Sequence, residues 1–306
     1  MYNFNIVAKR KTWYSISLAV IAGGVLFIAI FGLQLGLDFT GGSLIELNYA
    51  VERPATLAIS EVIRTAGLPS PRLQPSGESD LIIRLPEINE NKHHELVELF
   101  ETQALAISDE NIVTEKRFES FGPSLGQELK RKAFYAIIVV LIAIIIYLAY
   151  AFRNVSHPVA AWKFGAAAVI ALAHDALIVV GLFALLGIIF KTEIDSFFIT
   201  ALLTLLGFSV HDTIVTLDRI RENIFLHQDR TFAEVVNLSI NGTITRSINT
   251  SATTLFTLIA IYLFGGATIR DFALALIVGI LIGTYSSLFI AAPLLVTFYK
   301  FSQKKA

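Results

Sequence analysis

Six runs of about 20 mostly apolar residues divide this 306-residue chain, and a run of that length crosses a hydrocarbon core of ~30 Å as a helix. They fall near 14–33, 133–152, 164–189, 196–217, 247–266 and 271–298. The fifth is the weakest, because Ser and Thr fill its first half. Composition agrees with this reading. The chain is 55% hydrophobic and 16% charged, with a mean hydropathy of +0.66, too apolar for a soluble globule. The expected class is a membrane α-helical protein of six transmembrane helices.

The formal net charge of -1 conceals a segregation, because the charges gather in the loops and in one block at 34–132. That balance leaves no nucleic-acid footprint. The chain has no cysteine, which excludes disulfides, thiolate nucleophiles and Cys-ligated metals. Orientation follows from the short loops. Lys9, Arg10 and Lys11, then Arg153 and Lys163, then Arg219, Arg221, Arg230 and Arg246, and finally Lys300, Lys304 and Lys305 fall on one side of the six-span arrangement. The other side offers Lys191 against Glu193 and Asp195, and Arg270 with Asp271. The positive-inside rule then places both termini in the cytoplasm and the 34–132 block outside. The basic start and apolar run at 14–33 resemble a signal peptide, but the run is too long and no small-x-small site closes it, so a retained first span is expected.

The external block is too long and too patterned for a loop. Ser43 to Tyr49 alternates like a strand, and Thr56 to Gly67 has helical spacing with a Gly stop. Pro71 to Pro75 precedes a clear strand at Asp80 to Leu85, Asn91 to Leu105 is a second helix, and Asn111 to Phe118 alternates again. The order β, α, β, β, α, β predicts an external α+β domain of ferredoxin-like type between the first two membrane helices, its proline-rich second strand at an edge. The expected divisions are 1–33 for the amino terminus and first span, 34–132 for the external domain and its linker, and 133–306 for a five-helix bundle. The charged stretch 218–245 is expected to form a helix along the cytoplasmic membrane surface.

Ionisable residues inside apolar runs carry the chemistry. Placing a carboxylate such as Asp212 at depth costs roughly 2.5–3.5 kcal/mol on insertion scales, so it is by default a functional residue. Helical spacing sets Ser209, Asp212, Thr213 and Thr216 on one stripe of the fourth span, and Arg246, Asn249, Thr250, Thr253 and Thr257 on a stripe of the fifth. If the stripes face each other, Asp212 and Arg246 form an ion pair that a proton releases, coupling proton arrival to helix packing. The alternative is a static pair that fixes helix register. His174 and Asp175 in the third span repeat the His211-Asp212 dipeptide, which admits a shared proton relay. The competing reading has Asp175 satisfied by hydroxyls across a close small-residue interface beside Ala166, Ala167, Ala168, Ala171 and Ala173. Two His-Asp pairs without further ligands do not specify a metal, and no Walker-type loop or Ser-His-Asp elbow occurs. No cofactor and no enzymatic activity are expected. Gly279 and Gly283 have the spacing of a close helix contact.

These motifs form a recognisable set. They comprise Leu35-Gly-Leu-Asp-Phe-Thr-Gly-Gly42, Phe121-Gly-Pro-Ser-Leu-Gly126, Ala173-His-Asp175, Gly207-Phe-Ser-Val-His-Asp-Thr-Ile-Val-Thr-Leu-Asp-Arg-Ile-Arg-Glu-Asn223 and Arg246-Ser-Ile-Asn-Thr-Ser251. Together, over essentially the whole chain, they resemble the SecF family of bacterial protein-export subunits, within the resistance-nodulation-division superfamily. Phe121 stands where that family often has Val, a local packing difference. The resemblance implies a half-transporter of the inner membrane that pairs with SecD and associates with the SecYEG channel, YajC and YidC. It implies use of the proton-motive force in late preprotein translocation, and it maps the proton path onto Asp212 and Arg246. Asp175 is a further proton-coupling candidate, with His174, Ser209, His211, Thr213, Asn249 and Thr253 as supporting polar groups. The turn with Asp38, Gly41 and Gly42 resembles the family's external hinge. Expected contacts are SecD, SecYEG, the translocating preprotein and membrane lipids. Two other readings stay open: a half-size exporter of lipids or small hydrophobic molecules, and a scaffold in which Asp212 is dispensable.

Overall fold

The structure, a computed structural model, describes residues 4–153 and 158–303. It divides into two compact units, residues 35–134 and residues 1–34 with 135–306.

Among the described residues, six helices are long and apolar enough to cross a membrane. They are α1 (Arg10–Phe31), α5 (Pro123–Ala151), α6 (Ala161–Phe190), α7 (Ser196–Leu226), α8 (Phe232–Phe264) and a last span, Ile269–Gln303. The last span is built from α9 (Ala267–Ser286), a π turn (Ser287–Ala291) and α10 (Ala292–Gln303). About half of α6, α7 and the last span is buried, whereas α1, α5 and α8 expose most of their surface. Small residues set the closest crossings. A Cβ on Gly181 of α6 would lie 2.6 Å from Gly24 Cα of α1, and a Cβ on Gly283 of α9 would lie 3.0 Å from Ser209 Cβ of α7. Gly279 and Gly283 therefore mark the close contact of α9 with α7 that their spacing predicts.

The 218–245 stretch is not a separate surface helix, which corrects the expectation. Leu217 and Ile220 extend the buried stripe of α7, and Val235, Val236 and Ile240 begin that of α8. Both membrane helices thus project past their apolar cores. Only residues 227–231 turn between them. Thr231 restarts the chain through a reciprocal capping box with Glu234, whose Oε2 accepts from Thr231 N at 2.8 Å. Asn223 Nδ2 donates to Ser239 Oγ at 2.8 Å and clips the two projecting ends together.

The second unit is an α+β layer. After the helical turn α2 (Leu37–Thr40) come β1 (Gly42–Tyr49), α3 (Thr56–Thr65), β2 (Arg72–Ser76), β3 (Asp80–Leu85), α4 (Glu90–Leu105) and β4 (Val113–Phe121). The strands form one antiparallel sheet in the order β2-β3-β1-β4. β2 takes an edge, where Pro75 removes a donor at least cost. Alternate residues Ile45, Leu47 and Tyr49 of β1 and Leu81, Ile83 and Leu85 of β3 point into one core. Ile59 and Ile63 of α3, with Leu96, Phe100 and Ala104 of α4, close it at helical spacing. Asn111 is fully buried and ties the loop after β1 to the end of α4: its Oδ1 accepts from Val51 N at 3.0 Å and its Nδ2 donates to Glu52 O at 2.7 Å.

Candidate functional site

Two buried carboxylates lie where α6, α7, α8 and the last span pack. Asp175, on α6, is completely buried. Its Oδ1 lies 2.8 Å from His174 Nδ1, and its Oδ2 accepts from Ser286 Oγ of α9 at 2.8 Å and from Ser209 Oγ of α7. The His174 ring lies 6.1 Å from the Tyr285 ring, and the Tyr285 hydroxyl reaches Ser17 on α1. Three helices thus supply donors to one carboxylate. Of the two sequence readings of Asp175, the hydroxyl-satisfied interface describes its contacts.

Asp212, on α7, is treated differently. Its Oδ1 accepts one bond, from Ser247 Oγ of α8 at 2.6 Å. Its Oδ2 is buried and has no hydrogen-bond partner among the described residues, and the same holds for Thr216 Oγ1 one turn along and for His174 Nε2. Thr213, next to Asp212, pairs its hydroxyl with Ser287 Oγ at 2.8 Å. Leaving a carboxylate oxygen unpaired in the interior costs several times what a made hydrogen bond returns, so the site holds unused capacity for a proton or a donor.

The expected Asp212–Arg246 ion pair is not formed. Arg246, Asn249, Thr250, Thr253 and Thr257 do share a stripe of α8, but that stripe is exposed, as is His211 on α7. The inward face of α8 carries Ser239, Thr243, Ser247 and Ser251 instead, small hydroxyl residues four apart that permit close packing where an arginine does not fit. Arg246 acts on Asp212 only through its field. The residues that sequence reasoning missed are Ser247, Ser286, Ser287 and the Ser251–Thr284 hydroxyl pair. The spacing of four along α8 was the available signal for the first. Among the described residues no group of three or more His, Asp or Glu is gathered in metal-binding reach.

The second unit holds the glycine turn. Gly41 and Gly42 have φ of 75° and 127°, values that side-chain-bearing residues rarely adopt. A Cβ on Gly42 would lie 2.7 Å from Leu85 O, and one on Gly41 would lie 3.0 Å from Pro123 Cα. A Cβ on Gly126 would lie 3.1 Å from Gly41 N. Asp38 lies half-buried in the first turn of α2. The two motifs at 35–42 and 121–126 are therefore one packed joint.

Six membrane-length helices packed into one bundle define a multi-pass membrane protein. The family described as protein export membrane protein SecD/SecF, C-terminal, matches residues 102–301, and the SecD/SecF GG motif matches 26–50. A protein translocase subunit SecF from Thermobaculum terrenum is 42% identical, over 96% of this chain and 93% of that one. A SecDF protein from Thermus thermophilus is 36% identical over 96% of this chain and 38% of its own. The crystal structure of SecDF from Thermus thermophilus, a translocon-associated membrane protein, superposes with a TM-score of 0.84 at 34% identity. It covers 98% of this chain, which spans 39% of that SecDF chain. The chain belongs to the SecD/SecF family, and its relatives of similar length are SecF subunits.

Proposed function

We propose that this chain is the SecF half of a SecD–SecF assembly that uses the proton-motive force to assist late steps of preprotein translocation through SecYEG. The observation that carries the reading is Asp212, a carboxylate buried at membrane depth with one oxygen unbonded. A group so placed changes its contacts when it gains or loses a proton, and each charge crossing the membrane is worth ~2.3 kcal/mol per 100 mV. Asp175 is the second carboxylate of the path, with His174 and Ser209 around it, and Thr213 stands beside Asp212.

The exposed stripe of Arg246, Asn249 and Thr253, with His211 beside it, is the face for SecD. Polar groups at that depth need a protein partner rather than lipid, and relatives in which this chain matches about two-fifths of a SecDF polypeptide support a companion half. Residues 35–134 are read as a ferredoxin-like domain on the periplasmic side, supported by the β2-β3-β1-β4 order. Both termini then lie in the cytoplasm of a cell whose inner membrane holds the protein, with YajC and YidC as further associates. Motion of the domain pivots at Asp38, Gly41 and Gly42, and the two glycines hold dihedral angles that only glycine adopts freely.

The test is pulse-labelled processing of a secretory precursor in cells depleted of their own SecF and complemented at matched abundance. The parent chain restores processing and Asp212→Asn does not, losing the proton-driven component. Equal rescue by both chains overturns the coupling role and leaves a scaffold.

A further inference from the structure

The last membrane span changes its hydrogen-bond register where it passes the two aspartates. The π turn begins at Ser287, whose carbonyl accepts from Ala292 N–H five residues on, and π turns inside α-helices often sit at functional positions. Ser286 and Ser287 enter it side by side. Ser286 Oγ donates to Asp175, and Ser287 Oγ meets Thr213, the neighbour of Asp212.

Both hydroxyls also reach one carbonyl. Gly283 O lies 3.1 Å from Ser286 Oγ and 2.8 Å from Ser287 Oγ, and it accepts the Ser287 backbone N–H as well. A carbonyl oxygen offers two lone pairs, so three donors compete for two places.

We propose that Ser286, the Gly283 carbonyl and Ser287 form a hydroxyl relay through which the proton occupancy of Asp175 is read at Asp212, and the reverse. While Asp175 is ionised, its Oδ2 holds the Ser286 proton and Gly283 O serves Ser287 alone. When Oδ2 takes a proton, the Ser286 hydroxyl turns to Gly283 O and displaces the Ser287 hydroxyl. That hydroxyl then finds its acceptor at Thr213 Oγ1 or at the unbonded side of Asp212, where a donor favours the ionised carboxylate. The relay rotates hydroxyls and transfers no net proton. It makes occupancy of the two aspartates mutually exclusive in tendency, so that a proton arriving at one site empties the other.

The charged and titratable groups around the relay are few. Asp175 faces His174 from its own helix, with Tyr285 of α9 against that ring, while α7 presents Ser209 and α1 presents Ser17 through Tyr285. Asp212 is flanked by His211 on its own helix, meets Ser247 and the field of Arg246 from α8, and already has the Ser287 hydroxyl of the last span within reach. Ser286 and Ser287 are positioning residues in this scheme.

The proposal rests on reading both aspartates as proton-coupling groups. Its test is reaction of the full chain in membranes with dicyclohexylcarbodiimide, which modifies protonated carboxyls in apolar surroundings, followed across pH by peptide mass spectrometry at Asp175 and Asp212 separately. Ser286→Ala changes the labelling of Asp212 at fixed pH by about fivefold, although no hydrogen bond joins the two among the described residues, and Ser287→Ala shifts Asp175 labelling as well, because either substitution breaks the same relay. Threonine at either position restores the parent curve. An Asp212 profile that is the same in parent and Ser286→Ala, including no labelling in either, overturns the relay. If Ser286→Ala does not accumulate, Ser287→Ala read at Asp175 decides alone. Labelling needs no export, so normal export by Asp212→Asn sinks the proposed function, whereas unaltered labelling sinks only the relay.

Discussion

Asp175 and Asp212 are both buried carboxylates in the membrane unit, yet their surroundings are built to opposite ends. Asp175 is sealed, with donors from α6, α7 and α9 converging on its two oxygens. Asp212 accepts one bond, from Ser247, and has one oxygen without a bonded partner, the Ser287 hydroxyl close by and a polar, exposed helix face beside it. Protonating a carboxylate that already holds several donors makes those donors rearrange. One that is underused changes state with less disruption. Burial alone therefore does not distinguish two carboxylates inside a membrane bundle, and the count of satisfied acceptors does.

The largest effect that sharpens this comparison is on stability. Asp175→Ala leaves the donors of Ser209, Ser286 and His174 facing an apolar gap. At about 1–3 kcal/mol for each unsatisfied buried group, less what hydroxyl rotation recovers, the loss is roughly 3 kcal/mol. Asp212→Ala strands Ser247, while Ser287 keeps Thr213 and Gly283 O as partners, and it costs about 1 kcal/mol. Thermal unfolding of the two variants in the same detergent measures the difference. Equal shifts in Tm would mean that the donor sets do not distinguish the two sites.

A smaller effect concerns the one donor that Asp212 keeps. A hydrogen bond to a charged acceptor contributes about 1.5–3 kcal/mol, so Ser247→Ala lowers the proton-driven component of precursor processing by roughly tenfold, and Ser247→Thr restores most of it. Ser251→Ala, one turn further along the same face, breaks only a hydroxyl pair with Thr284 and changes processing little. If both alanine variants behave alike, the inward face of α8 acts as packing and not as a partner of Asp212.

How much of this was readable beforehand depends on how rare each signal is. Asp212 and Asp175 stand out because carboxylates seldom enter apolar runs. The order and boundaries of β1, β3 and α4 follow from clean period-2 and period-3.6 patterns. Ser247, Ser286 and Ser287 did not stand out, since serine is cheap in a membrane helix and marks close packing as often as chemistry. The error at Arg246 has a physical origin: polarity says that a stripe avoids lipid, but not whether it faces its own bundle or another chain. Residue size decides that, and the small hydroxyl residues of α8 won the inner face. The continuous ends of α7 and α8 were misread because charge density outweighed the Thr231-x-x-Glu234 capping signal.

A carboxylate open to water supplies the outer end of the comparison. Asp80, at the start of β3, pairs with Lys116 Nζ at 2.7 Å, and the Asn48 amide and Arg53 lie beside it. Its partial burial alone pushes the carboxyl up, but the Lys116 ammonium, the Asn48 amide and the Arg53 charge outweigh that and hold it below the ordinary aspartate value. A depressed value in the folded state stabilises the fold at pH above the unfolded value of ~3.9, and that contribution fades as pH falls through the folded value. Lys116 is largely exposed, so solvent screens the pair and its worth stays below about 1 kcal/mol. Amide exchange of β1 and β3 in the full chain then shows Lys116→Gln slightly less protected than the parent at about pH 6, with the gap shrinking as the pH falls below the unfolded aspartate value and in high salt. A gap of the same size below that value would mean that Lys116 supports the sheet by packing its alkyl chain. In that case Asp80 would resemble neither membrane carboxylate, because its charge would be doing nothing for the fold at any pH.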